Sequence, residues 1–188
     1  EPNMDGVEQY VYDPRDPTPS VGGPSFDPSN AGPRDQRRFE NRKDVVVFTT
    51  SELKEEVEIC GYPRLVLYVS TDAASTDFVG RLCDVFPNGM SVNVCDGLVR
   101  IEGGLEAETT PGRNVVTPLE GRDGRRVFRL SFEIGATAYS FLPGHRIRVQ
   151  VCSGAHGRWM RNFGNGSGEI HNTLELKAQS QQVLIGSK

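Results

Sequence analysis

An all-β fold, a β-sandwich or jelly roll, is predicted by three features of the sequence. Apolar residues recur with a period of two in segment after segment. No window of a dozen residues sustains a helical period. Turn signals separate the segments at short intervals. The 188 residues are 36% hydrophobic, enough for one sizeable core, and 24% charged, so a folded single domain is expected.

The first 33 residues hold seven of the 12 prolines. Tyr10 to Pro19 excludes a helix, because proline fixes φ, lacks an N–H and pushes its predecessor towards extended geometry. With the tyrosines, Val21 and Phe26 available for burial, residues 1–33 read as an extended arm lying on the domain. Residues 34–188 read as the sandwich, the two together forming one domain. Arg34–Lys43 is charge-dense, either a solvated connector or a set of paired charges at a contact.

Val45–Thr50 is β-branched and aromatic, hence a strand. In Arg64–Ser70, Leu65, Leu67 and Val69 share one face and Val66 and Tyr68 the other, so cover on both sides is expected. Phe78–Phe86 and Ser91–Cys95 flank Pro87-Asn88-Gly89 as a hairpin. In Val127–Ile134, Phe128, Leu130, Phe132 and Ile134 point inwards; Ile147, Val149 and Val151 repeat the pattern. Short strands also fit Leu98–Glu102, Asn172–Lys177 and Gln182–Ile185.

Charge and motifs exclude several functions. Lys and Arg number 21 against 25 Asp and Glu, a net charge of −4, which gives no support for nucleic-acid binding. No apolar run approaches the roughly 18 residues of a membrane span. The start at Glu1, without a signal peptide, reads as a fragment or processed form. Cys60, Cys83, Cys95 and Cys152 lack C-x-x-C spacing. A hairpin centred on Gly89 sets Cys83 opposite Cys95, yet four free thiols are expected, which points to a cytoplasmic protein.

Gly89-Met90-Ser91-Val92-Asn93 falls short of a nucleophile elbow, with Asn at its last position and a hairpin for context. Gly164-Asn165-Gly166-Ser167-Gly168 lacks the Lys of a phosphate loop. His145, His156 and His171 have no His or Cys at ligand spacing, and His145 reads as a structural hydrogen-bond donor. Asp72 and Asp77 bracket a loop and read as turn caps, not calcium ligands. No catalytic residue, metal or cofactor is expected. The most unusual segment is Ser153–Gly168, which concentrates Arg158, the only Trp (Trp159), Met160, Arg161 and Phe163, residue types enriched in binding hot spots.

Seven segments, in order, resemble one family. They are Tyr10-Val-Tyr-Asp-Pro-Arg-Asp-Pro-Thr-Pro with Gly22-Gly23; Asp35-Gln-Arg-Arg-Phe-Glu-Asn-Arg; Val47-Phe-Thr-Thr-Ser-Glu-Leu; Ser70-Thr-Asp with Thr76-Asp-Phe; Leu82-Cys-Asp-Val-Phe-Pro-Asn-Gly; Gly144-His-Arg-Ile-Arg-Val; and Arg158-Trp-Met-Arg-Asn. Together they look like the C-terminal domain of the X-Pro dipeptidyl-peptidase and cocaine-esterase (CocE/NonD) hydrolases. The resemblance implies a galactose-binding-like jelly roll. It also implies a partner, an α/β-hydrolase domain of the same parent chain that carries the catalytic triad. Where the family usually reads Phe-Pro-Arg-Phe-Asp-Arg-Asn, this chain has His156-Gly157-Arg158-Trp159-Met160-Arg161-Asn162, without the Pro and Asp.

Two functions follow. In one, the chain is a non-catalytic domain that docks on a serine hydrolase and walls its pocket, with Tyr10, Tyr12, His156, Arg158, Trp159, Asn162 and Phe163 at the contact and self-association as a further mode. In the other, it is a stand-alone carbohydrate- or ligand-binding module. One Trp and five Tyr, two of them in the arm, are thin provision for a sugar-stacking face.

Overall fold

The structure is a computed structural model, and it describes residues 6–102, 114–122, 124–166 and 175–186. The strands are β1 (Gly6–Tyr12), β2 (Val45–Thr49), β3 (Val57–Gly61), β4 (Arg64–Thr71), β5 (Thr76–Val85), β6 (Ser91–Ile101), β7 (Asn114–Arg122), β8 (Arg125–Glu133), β9 (Thr137–Phe141), β10 (Arg146–Cys152) and β11 (Gln179–Ile185), with one short helix, α1 (Arg37–Glu40). All pairings are antiparallel. A five-stranded sheet runs β1-β11-β4-β8-β7 and a four-stranded sheet β2-β10-β5-β6, with β3-β9 as a small third ladder. This is the jelly-roll-like sandwich that the period of two implies.

The core lies between the two large sheets. Leu67, Val69, Phe128, Leu130 and Phe132 meet Phe78, Leu82, Val99, Ile101 and Val151 there, all buried. Gly80 of β5 faces Gly97 of β6 across the ladder, and both lie hard against the opposite sheet or the segment that follows it. A methyl at Gly97 would stand 2.3 Å from the Glu133 carbonyl oxygen, so only hydrogen fits.

Several expectations are corrected. β1 continues the sheet as far as Tyr12, so only the chain beyond it is an irregular arm. β7, which was not expected from the sequence, contains Pro118 and is an edge strand, the place in a sheet where proline is tolerated. The expected Ser91–Cys95 and Leu98–Glu102 strands are one, β6. Residues 175–177 are not strand, and 172–174, with His171, lie outside the described residues. The outer face of β4 is covered only in part: Val66 is exposed at 42%, Tyr68 is half-buried and Ser70 is buried.

Cys83 and Cys95 do not face each other. Leu82 pairs Cys95, but Cys83 pairs Asn93, so Val94 is the extra residue of a bulge. The slip sets Cys95 beside Leu82 on the core face, while Cys83, the next residue along β5, points to the opposite face. All four cysteines are free. Burial pushes the Cys83 thiol up to about 12 and those of Cys95 and Cys152 to about 11, which keeps them protonated and inert.

Candidate docking face

Every residue of β5 is buried, so the four-stranded sheet is covered on both sides along this inner strand. The outer cover is built from the arm that follows β1 and from the loop after β10. Main-chain bonds knit the two together. His156 N donates to Thr18 O at 2.8 Å, and Ser20 N donates to His156 O at 2.9 Å. Arg161 Nη1 donates to Pro14 O at 2.9 Å. Proline stiffening favours this: Pro17 and Pro19 leave few conformations to lose when the arm is laid down.

Beneath the cover lies a polar layer that a bare β-face would not tolerate. Arg81 donates to Gln36 Oε1 at 2.6 Å and pairs with Asp96 at 3.4 Å. Asp96 also holds Arg158. Glu40 of α1 accepts from Ser91 Oγ (2.6 Å), Gln150 Nε2 (2.8 Å) and Arg148 Nη1 (2.6 Å). Thr18 Oγ1 and Arg42 Nε both donate to buried Asp44, at 2.6 and 2.7 Å. Each buried charge therefore has a partner, as desolvation demands. Within the 34–43 segment, Glu40 and Arg42 are paired charges, with Arg148 and Asp44, while neutral Gln36 binds Arg81.

The outer surface of the cover is different. The Phe26 ring is fully exposed (110%) and Met160 is 58% exposed. Trp159 is half-buried, resting on Val79, Cys152 and Ala155, with the Arg158 guanidinium 4.1 Å from its ring centroid. Pro24, Ser25, Phe26, Gly157, Arg158 and Trp159 line a cleft of about 410 Å³. An apolar cleft with one paired cation has the composition of an interface centre.

The seven residues singled out by sequence are thus divided. Arg158 and Trp159 share the cleft, and His156 is exposed beside it. Phe163 is half-buried, 5.9 Å from the Arg161 guanidinium. Asn162 is buried, donating to Ser75 Oγ (2.8 Å) and Asp77 Oδ1 (3.1 Å). Tyr10 and Tyr12 point into this domain's own core, Tyr10 bonded to Ser153 Oγ at 2.9 Å, so their rings offer no surface to a neighbour. The alternating pattern of β1 places them inward, a signal the prolines downstream obscured. Phe26, read from sequence as material for burial, is instead the most exposed ring, and Pro24 beside it was not singled out.

Nothing in the described residues assembles a nucleophile. Ser91 is fully buried with its hydroxyl on Glu40. The His145 Nδ1 lies 2.9 Å from both oxygens of Asp84, which also accepts from Tyr139 Oη at 2.9 Å. That bond is structural, joining the residue before β10 to β5. Asp72 accepts from Ser180 N across the chain, and Asp77 is held by Arg100 through two bonds of 2.7 and 2.9 Å, so neither caps its own turn. Among the described residues no three His, Cys, Asp or Glu side chains group as metal ligands, and no helix is long and apolar enough to cross a membrane.

Residues 1–184 match the family model described as the X-Pro dipeptidyl-peptidase C-terminal non-catalytic domain. The chain is 36% identical over 172 residues to a cocaine esterase of Rhodococcus sp. (strain MB1 Bresler), covering 91% of this chain and 28% of that protein. An α-amino acid ester hydrolase structure superposes with a TM-score of 0.76 at 27% identity, over 99% of this chain and 32% of the other. An aminopeptidase from a Thaumarchaeota archaeon of marine sediment gives 0.73 at 28%, over 97% and 32%. The chain thus spans about a third or less of the proteins it matches.

Proposed function

Because the chain belongs to the family of X-Pro dipeptidyl-peptidase C-terminal non-catalytic domains, we propose that it docks through the Phe26–Trp159 face on an α/β-hydrolase domain of a longer parent and walls part of that domain's substrate pocket. The observation that carries the reading is Phe26, a phenyl ring left wholly in solvent beside a cleft, on an arm otherwise pinned by main-chain bonds. A rigid support with an uncovered apolar tip suits a surface that another domain completes. The parent's activity, by the same reading, is hydrolysis of ester or X-Pro amide bonds, in line with the activities for which its relatives are named. The free thiols support a cytoplasmic setting.

The test is Phe26→Ser, made in this chain and in the full-length parent. The isolated chain should keep its stability within about 0.5 kcal/mol, as at exposed sites, while the parent loses activity or cohesion between its domains. A parent unaffected in both respects overturns the docking role. Sedimentation of the isolated chain distinguishes the other occupant: self-association abolished by Phe26→Ser, with the parent unchanged, assigns the face to a second copy.

A further inference from the structure

A second polar cluster of the interior, besides that of His145, Asp84 and Tyr139, lies apart from the docking face. It lies between β1, β11 and the start of β5, where Tyr12, Gln179, Gln181 and Thr76 all point into the sandwich and are almost wholly buried. Tyr12 pairs with Gln179, and Tyr10 with Gln181, so Tyr12 and Gln181 are diagonal neighbours on one face of the ladder. Diagonal neighbours have Cα atoms about 7–8 Å apart, within reach for long side chains.

The hydrogen-bond order of the cluster is fixed from one end. Thr76 donates its only hydroxyl proton to Gln179 Oε1. Its oxygen then accepts from Gln181 Nε2 at 2.7 Å. That sets the Gln181 amide with its nitrogen on Thr76 and its oxygen turned away. The Gln181 Oε1 acceptor and the Tyr12 hydroxyl donor are left, buried and without any protein partner. A buried polar group without a hydrogen bond costs on the order of 1–3 kcal/mol, so two in one cluster are not left dry. Both are nine-tenths buried or more.

We propose that this cluster is a binding site for a structural water, which accepts from Tyr12 Oη and donates to Gln181 Oε1. One donor and one acceptor are the complement of a single water. Neutral amides and hydroxyls, with Asp77 already taken by Arg100 and Asn162, give a hard cation no charge to pair with. Folded chains hold on the order of one buried water per 27 residues, so such a site is ordinary in a domain of this size. Its place is not ordinary: it joins the first strand of the sheet to the last strand and to β5, below the loop that closes over Gln179 through Gly164. The water therefore fastens β1, and with it the root of the arm.

The experiment is an atomic-resolution crystal structure of this chain, with oxygen-17 relaxation dispersion to count long-lived waters in solution. The expected result is one oxygen within hydrogen-bond distance of both Tyr12 Oη and Gln181 Oε1, and a count that falls by one in Tyr12→Phe. Gln181→Met, which removes the acceptor at similar volume, should lower the count in the same way and serves if Tyr12→Phe does not fold. The proposal is overturned by an atom with metal-like distances, by a direct protein bond to either group, or by a count unchanged in a folded variant.

Discussion

Replacing Gly97 by Ala adds one methyl where β6 lies against the end of β8. The new carbon would lie 2.3 Å from Glu133 O and 2.8 Å from Ile134 Cα. Carbon–carbon contacts are comfortable at about 3.5–4.0 Å, so the two sheets must part by roughly 1 Å locally. Both obstructing atoms are main chain, and that main chain is held: Ile134 N donates to Pro63 O at 3.0 Å and Glu133 pairs with Arg64 across the ladder. No side-chain rotation relieves the clash. Overpacking costs about 1–3 kcal/mol, and a backbone obstacle belongs at the upper end. The loss of freedom of Ala against Gly in the unfolded chain returns about 0.4–1 kcal/mol. The net destabilisation is then about 2 kcal/mol, a fall in Tm of roughly 4–8 °C for a domain of this size. Gly80→Ala is the internal comparison. Its methyl would meet Leu65 Cδ2 at the same 2.3 Å, but Leu65 is half-buried and can turn away, so the loss should be smaller. Thermal and urea unfolding of both variants decides. A Gly97→Ala Tm within 1 °C of the unmodified chain, or a larger loss for Gly80→Ala, refutes the backbone-clash reasoning.

Glu40→Ala strands Arg148, Gln150 and Ser91 under the cover and should cost about 3 kcal/mol, measured by urea midpoint; below about 1 kcal/mol the triple bond is not contributing as its geometry implies. Trp159→Ala should cost about 2 kcal/mol in the isolated chain, between a surface and a core ring, because half of the indole rests on Val79 and Cys152; a loss of 4 kcal/mol would make it core. Alkaline pH should weaken the fold. Cys83 and Cys152 ionise near 9 when unfolded but near 12 and 11 when folded, so above pH 9 the unfolded state binds fewer protons and stability falls until the folded thiols ionise. A urea midpoint flat from pH 8 to 10.5 contradicts this. The chain alone should turn over neither nitrophenyl esters nor Xaa-Pro-anilides; turnover abolished by Ser91→Ala is the contrary result.

What the sequence discloses is what alternation encodes. Phe128, Leu130, Phe132 and Ile134 were assigned inward from period alone and are buried at 7% or below. Strands whose composition carries another signal were hidden. β7 contains Pro118 and Gly121, and β1 runs straight into Asp13-Pro14, so both read as irregular. The Cys83–Cys95 register failed because a bulge is a one-residue event that no composition announces. The cover was legible only in part. Trp159 and Arg158 stood out as rare or interface-prone residues, but the polar layer under them depends on Gln36, Glu40 and Asp96, which are unremarkable in sequence and become a network only through contacts of high sequence separation.

The pairing of β1 with β11 separates the order of strands along the chain from their order in space. Gly6 stands opposite Ile185, on neighbouring strands about 4.8 Å apart. A short linker could therefore join these two positions, and the chain could be reopened at the exposed Asn88-Gly89 tip of the β5–β6 hairpin to give a circular permutant with the same sandwich. The same adjacency places the start of β1 and the end of β11 side by side in the five-stranded sheet. It also sets a clock on assembly: of these strands β1 is made first but cannot pair with its neighbour until Gln179–Ile185 has been made, so the five-stranded sheet cannot be completed before its last strand exists.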